Sequence, residues 1–313
     1  MRYPALATLL MGGSLLILAA CGSSDETAET ETPAETAVET ADGAAQTDEM
    51  ATETGAAAER DLSELADVVG GDWRSEGAVR DAYRHPVETL EFFEVDPSGT
   101  VVEIWPGAGW YTNVLAPWIH ANGGTYIAAH FPADESGGNR DRAQERFAER
   151  FADTSLYGDV EMVGFDSTIG LQVEPGSVDT VLTFRNVHNW MSRNYAEGAF
   201  AEFYEALRPG GTLGVVEHRL PSTREQDPNG ATGYVQEAYV IALAEEAGFE
   251  LVGSSDINAN PRDTADHPFG VWTLPPVRRS PGEDEEGQED FDREAYDAIG
   301  ESDRMTLRFR KPE

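Results

Sequence analysis

The sequence predicts an open α/β fold: a doubly wound, mostly parallel sheet with helices on both faces and a helical cap on its N-terminal side. Three observations predict it. Apolar, β-type runs alternate with amphipathic helical stretches from Val101 onward. The run Val101-Val102-Glu103-Ile104-Trp105-Pro106-Gly107-Ala108-Gly109-Trp110-Tyr111-Thr112 reads as a buried strand, a glycine turn and the entry to a helix, which is how such sheets build a pocket at a helix N-terminus. Arg208-Pro209-Gly210-Gly211 then stops one helix just ahead of another apolar run.

Taken in order, residues 1–20 begin with Arg2 and run apolar from Ala5 to Ala20, too short a stretch for comfortable spanning and typical of a signal peptide. Leu18-Ala19-Ala20-Cys21 is similar to a bacterial lipoprotein box, and Cys21 is the only cysteine of the 313-residue chain, so lipidation accounts for a thiol that would otherwise be unpaired after export. Gly22 rather than aspartate follows it, which favours the periplasmic side of the outer membrane over inner-membrane retention. Residues 21–60 are Thr, Glu, Ala and Ser with almost no large apolar side chain; such a segment cannot offset its chain entropy and is expected to be a disordered, self-repelling tether. Residues 61–313 suit one α/β domain.

Within it, Asp61 to Phe93 carries helical apolar spacing at Leu62, Leu65, Val68, Val79 and Tyr83. Strand Val101–Ile104, a helix from about Trp110 to Ala121 and strand Thr125–Ala129 follow. A charged helix around Arg140–Phe151 leads to a strand near Val160–Val163, and Ser177–Thr183 is a fourth, near-continuously apolar strand. Tyr195–Leu207 is amphipathic, Thr212–Val216 is the fifth strand, and helix Gly233–Ala247, strand Phe249–Ser254 and strand Arg304–Phe309 complete the sheet.

Net charge is −36, and Lys311 is the only lysine. Nucleic acid is excluded as a partner because phosphate binding needs a basic face. Part of the charge lies in Glu283-Asp284-Glu285-Glu286 with Glu289 and Asp290, read as an exposed loop. So acidic a surface stays soluble at high salt, consistent with a saline habitat or with compositional drift.

The order of these signals resembles a class I S-adenosylmethionine-dependent methyltransferase of Rossmann-like fold. Glu103 precedes the glycine turn, Asp166 follows the third strand, Asp179 opens the fourth, and Leu207-Arg208-Pro209-Gly210-Gly211 precedes the fifth. Glu103-Ile104-Trp105-Pro106-Gly107, Arg185-Asn186-Val187-His188, Val216-Glu217-His218-Arg219, Glu237-Ala238-Tyr239 and the ending Arg308-Phe309-Arg310-Lys311-Pro312 are similar to a branch of exported predicted methyltransferases, in which the tryptophan is usual. The resemblance implies S-adenosylmethionine (SAM) as cofactor, with Glu103 facing its amino group, Gly107 and Gly109 allowing close approach, and Asp166 contacting its adenine. The second strand departs from the pattern, ending in His130 where a carboxylate would grip the ribose hydroxyls; His130 is assigned to one hydroxyl, with Asp134 or Glu135 within reach from the next loop. Competing motifs fail on residues: a dinucleotide fingerprint wants glycine at Thr112, and neither a P-loop nor a Gly-x-Ser-x-Gly elbow is present.

Substrate chemistry belongs beyond the carboxyl ends of the fourth and fifth strands. Methyl transfer needs alignment, plus a base where the nucleophile carries a proton. His188, Glu217 and His218 are the candidate catalytic residues, and Arg185, Asn186, Arg219 and Tyr234 the candidate substrate-binding ones. Tyr234 and Glu237, three apart on the predicted helix, share a face; core packing is the alternative for the aromatic rings there. Glu217 with an arginine could equally be a structural ion bridge. No metal site is assigned, because no His-x-x-x-His or His-x-His spacing accompanies His188, Glu217 and His218. The expected function is methylation of a small-molecule or envelope substrate. A cofactor scarce outside the cytoplasm keeps two alternatives open: a non-catalytic ligand-binding lipoprotein and a metal-assisted envelope hydrolase.

Overall fold

A computed structural model describes residues 61–133, 138–282 and 288–313. The signal stretch, Cys21, the tether, Asp134, Glu135 and the acidic run 283–286 lie outside the described residues.

The cap is four short helices, α1 (Leu65–Val69), α2 (Ser75–Ala78), α3 (Asp81–Arg84) and α4 (Pro86–Phe92), with a 3-10 turn over Asp72–Arg74. Pro86 explains the last break. It suits a first helical position, since its missing N–H needs no partner there, and it drives the residue before it out of the helical region. His85 accordingly sits at φ +38.

The sheet and its helices follow as β1 (Thr100–Ile104), α5 (Thr112–Ala121), β2 (Thr125–His130), α6 (Asn139–Arg150), α7 (Thr154–Tyr157), β3 (Glu161–Asp166), β4 (Gly170–Leu171), β5 (Val178–Phe184), α8 (Val187–Met191), α9 (Ala196–Ala206), β6 (Leu207–Leu220), β7 (Val235–Gln236), α10 (Glu237–Ala247), β8 (Glu250–Ser255), α11 (Arg293–Ile299) and β9 (Arg304–Arg310). Strand order is β4-β3-β2-β1-β5-β6-β9-β8, with β7 on β6. Strands β3, β2, β1, β5 and β6 are parallel, whereas β9 runs antiparallel to both β6 and β8. The order in which strands are added reverses between β1 and β5, and a crevice opens beyond their carboxyl ends.

The strand pleat sorts β1 between two cores. Val102 and Ile104 join Phe165, Trp190, Phe200 and Phe203 on one face. Val101 packs with Leu115, Ile119, Phe147 and Phe151 on the other. Glu103, two residues after Val101, therefore points to the α5 face.

Two elements differ from expectation in ways that matter for the site. Strand β6 extends well beyond Thr212–Val216, because β9 pairs with it from Thr212 to His218 and β7 with Arg219 and Leu220. Helix α10 begins at Glu237 rather than Gly233; Gly233 is a turn residue at φ +80, and a side chain there would meet Val271 at 2.3 Å.

Candidate functional site

A cavity of about 360 Å³ opens at the switch point, lined on one side by Glu103, Trp105, Gly107 and Ala108 and on the other by Arg185, Asn186, His188 and His218. Its size falls within the usual range for small-ligand pockets.

The glycine turn is built from left-handed backbone at Trp105 (φ +46), Gly107 (φ +61) and Gly109 (φ +80). Gly107 meets the cavity, and a side chain there would find nothing within 4 Å. Gly109 has a different reason: an added Cβ would lie 2.4 Å from the Phe151 ring and 3.2 Å from Phe147. It is glycine for packing and does not line the cavity. Trp105 reaches sideways over the ends of β2 and β3. Its indole donates to Phe165 O at 3.0 Å, stacks on Phe131 with centroids 3.9 Å apart, and meets Trp190 edge-on.

Glu103 is buried and lines the cavity, but its Oε2 already accepts from Tyr126 OH at 2.6 Å and Thr112 Oγ1 at 3.0 Å. Burial pushes its carboxyl up to about 7, against the pull of those hydrogen bonds. His130 is also buried, its ring edge-on to Phe147 at 4.3 Å, and its Nε2 has no partner among the described residues. Burial lowers it to about 4, keeping it neutral. Asp166 caps the following turn, accepting from Thr168 N at 2.8 Å and Ile169 N at 3.1 Å through one oxygen. Neither His130 nor Asp166 lines the cavity.

On the acceptor side the sequence assignments divide. Asn186 ties the switch point together, donating to Ile104 O at 2.9 Å and Thr183 Oγ1 at 3.2 Å. His188, on α8, donates from Nδ1 to Glu217 Oε1 at 3.2 Å, which fixes the tautomer and leaves Nε2 free to accept a proton. Glu217, fully buried, also accepts from the backbone N–H of His218 at 2.7 Å and of His188 at 3.4 Å. Its side-chain partner is thus a histidine, not the arginine of the alternative structural reading. His218 Nδ1 is hydrogen-bonded to Ser302 Oγ at 2.5 Å; burial first, and then surrounding cations including Arg304, Arg185 and Arg84, depress its basicity.

Arg219 and Tyr234 do not belong to the cavity. Arg219 is committed to Asp303 at 2.9 Å and Asp256 at 2.7 Å, an ion network on the outer side of β6. Tyr234 precedes α10, so it shares no helical face with Glu237; its hydroxyl donates to Asp263 at 2.9 Å in a buried cluster with His267. Tyr239 packs against the core, as its alternative reading had it.

The sequence reading missed Arg80 and Arg84 from the cap, and Ser302 and Arg304 at the start of β9, all of which line the cavity. Since β9 is antiparallel to β6, its first residues arrive at the carboxyl ends of the parallel strands. Assigning that direction would have drawn attention to Glu301-Ser302-Asp303-Arg304.

No protein-family model matches the chain, and no curated protein sequence is similar to it. Solved structures are. The chain is similar to the [4+2]-cyclase SpnF at 16% identity, covering 74% of this chain and 81% of that one with a TM-score of 0.50. It is similar to a SAM-dependent methyltransferase from Aquifex aeolicus at 16% identity, covering 64% and 94% with a TM-score of 0.46. Geranyl diphosphate methyltransferase, solved in complex with SAM, aligns at 15% identity over 80% and 94%, TM-score 0.48. At such identities the likeness is one of fold: a Rossmann-like α/β sheet with its crevice at the β1/β5 switch.

Proposed function

We propose that the chain is a SAM-dependent methyltransferase acting on a small molecule, exported and held by lipid on Cys21 at the periplasmic side of the outer membrane. The observation that carries the reading is the cavity itself, lined by Glu103, Gly107 and Ala108 together with His188, whose ring is held by Glu217. The residues fit the cofactor at two points. Glu103, Gly107 and Ala108 offer a carboxyl and exposed turn backbone to its amino-acid end. The second is Asn186, which lines the same cavity and holds the ends of β1 and β5 together beside it. The bound cofactor supplies an electrophilic methyl group. Asn186 fixes the distance between β1 and β5, and His188 Nε2 takes the proton of the acceptor as Glu217 steadies the resulting imidazolium.

Melting of the full chain with SAM and S-adenosylhomocysteine tests this. At 100 times Kd a ligand of the native state adds about 2.7 kcal/mol, a rise of roughly 5–10 °C for a domain of this size. No shift with either at millimolar concentration would overturn the proposal. For the anchor, Cys21→Ser should move the protein from the membrane to the soluble fraction.

A second reading, metal-assisted hydrolysis, has one observation in its favour: His188, Glu217 and His218 bring donor atoms within 4.8 Å of one another, a ligand set suited to zinc. Four arginines around the same cavity raise the cost of placing a dication there. Metal analysis of the purified protein decides: stoichiometric zinc supports this reading, a metal-free, active sample ends it.

A further inference from the structure

In a chain of net charge −36, the cavity is walled by arginine: Arg80, Arg84, Arg185 and Arg304. Three of them converge on a single carboxylate. Glu301 accepts from Arg84 Nε at 3.1 Å and Arg80 Nε at 2.5 Å and pairs with Arg304. Burial opposes ionisation of Glu301, but Arg304, Arg84 and Arg80 outweigh it and hold the carboxyl well below its usual range. One carboxylate does not satisfy three guanidiniums. Arg84 Nη1 and Nη2, Arg80 Nη2 and Arg304 Nε are buried without hydrogen-bond partners among the described residues, and Arg84 and Arg304 are each 2% exposed. Arg84 also lies over the Trp110 ring at 4.6 Å, which orients it without satisfying its N–H groups.

Arg185 is more telling. It stands immediately after β5 on left-handed backbone at φ +65, a strained conformation for a residue with a side chain. Its guanidinium has no hydrogen-bond or ion-pair partner among the described residues. Burial, then its cationic neighbours, draws it down to about 10. The remaining carboxylates nearby do not compensate: Glu217 is held by His188 and two backbone N–H groups, and Glu103 by Tyr126 and Thr112.

The buried, unpartnered N–H groups of Arg84 are costly unless a ligand completes them, and the half-buried Arg185 presents an uncommitted guanidinium to the same cavity. We infer that the cavity binds an oxyanion, a phosphate or carboxylate group of the acceptor substrate, through Arg185 and Arg84, with Arg80, Arg304 and Glu301 positioning them. The inference names the substrate class of the methyltransferase proposed above, and it rests on that reading only for calling the ligand an acceptor. Planar guanidinium forks suit such groups better than ammonium would.

The test titrates the full chain with inorganic phosphate and with malonate, following melting temperature and calorimetric heat at low ionic strength without cofactor. Saturable binding of at least one anion is expected, weakened about tenfold or more in Arg185→Gln, as loss of a charge-assisted hydrogen bond implies, and partly restored in Arg185→Lys. Because Arg185 has no protein partner to lose, unliganded Arg185→Gln should melt at or above the temperature of the parent, a readout that does not depend on choosing the right anion. No heat and no shift at tens of millimolar of either anion, together with a lower melting temperature for Arg185→Gln, would overturn the inference. So would S-adenosylhomocysteine binding that depends on Arg185 while both anions are inert, since the arginines would then serve the cofactor's carboxylate. Anion binding without any response to SAM or S-adenosylhomocysteine would leave the oxyanion site standing and remove the methyltransferase reading.

Discussion

Gly107 and Gly109 lie two residues apart in the same turn, yet the structure gives them opposite duties, and alanine at each separates them. At Gly109 (φ +80) a Cβ pays the left-handed backbone penalty of roughly 1–2 kcal/mol. It also drives into Phe151 at 2.4 Å, where overpacking adds about 1–3 kcal/mol. The sum, roughly 2–5 kcal/mol, lowers the melting temperature by about 5–15 °C for a domain of this size. At Gly107 (φ +61) only the backbone penalty applies, because nothing lies within 4 Å; reduced freedom of the unfolded chain returns about 0.4–1 kcal/mol of it, leaving a drop of no more than about 5 °C. Ligand binding should divide the other way. Calorimetry with S-adenosylhomocysteine, well below both melting points, should show binding weakened by Gly107→Ala, whose methyl group enters open space at the cavity wall, and retained by Gly109→Ala. Equal melting temperatures for the two variants would refute the packing role of Gly109, and unimpaired binding by Gly107→Ala would refute the site assignment.

Three further outcomes follow. Glu103 and His130 bend the pH profile of stability in opposite directions: Glu103, raised from 4.5 to about 7, keeps a proton the unfolded chain releases, so its contribution is lost as pH rises across that interval; His130, lowered from 6.5 to about 4, loses its contribution as pH falls through that range. Denaturant titrations between pH 4.5 and 6.5 should therefore give Glu103→Gln a more positive slope of stability against pH than the parent and His130→Asn a more negative one; unchanged slopes would contradict both assignments. Tyr234→Phe should cost about 1–3 kcal/mol, since Asp263 loses a buried donor, while ligand affinity stays at the parent value in calorimetry; an affinity loss would return Tyr234 to the site. Once an acceptor is found, His188→Asn should lower kcat by roughly 10²–10⁴-fold with little change in cofactor binding, the span typical of a lost general base, and an unchanged kcat would exclude that role.

Much of the frame was legible because it is local. The apolar run before Trp105 and the glycines after it define strand, turn and helix within a dozen residues. His188 and Glu217 were legible as a rim pair because α/β topology places the ends of β5 and β6 side by side. Asp166 was misleading, since Asp-Ser-Thr is also an ordinary turn sequence in which the carboxylate serves its own backbone. The start of α10 was misplaced because Gly233 and Tyr234 continue its apolar spacing, while pairing of Val235 and Gln236 with β6 decides the matter. The arginine wall was invisible for a plainer reason: Arg84 and Glu301 meet across a separation of 217 residues, and no local pattern signals such a contact.

The placement of β9 between β6 and β8 bears on the order in which the molecule can be made. A chain emerging from its N-terminus completes β6 long before β9 exists, so one flank of the growing sheet presents open backbone N–H and C=O groups from Thr212 to His218 until the last strand arrives. Strand β8, whose partner is β9, has no seat until then. The final residues therefore act as a keystone. A chain halted before Arg304 would have an exposed edge inviting self-association.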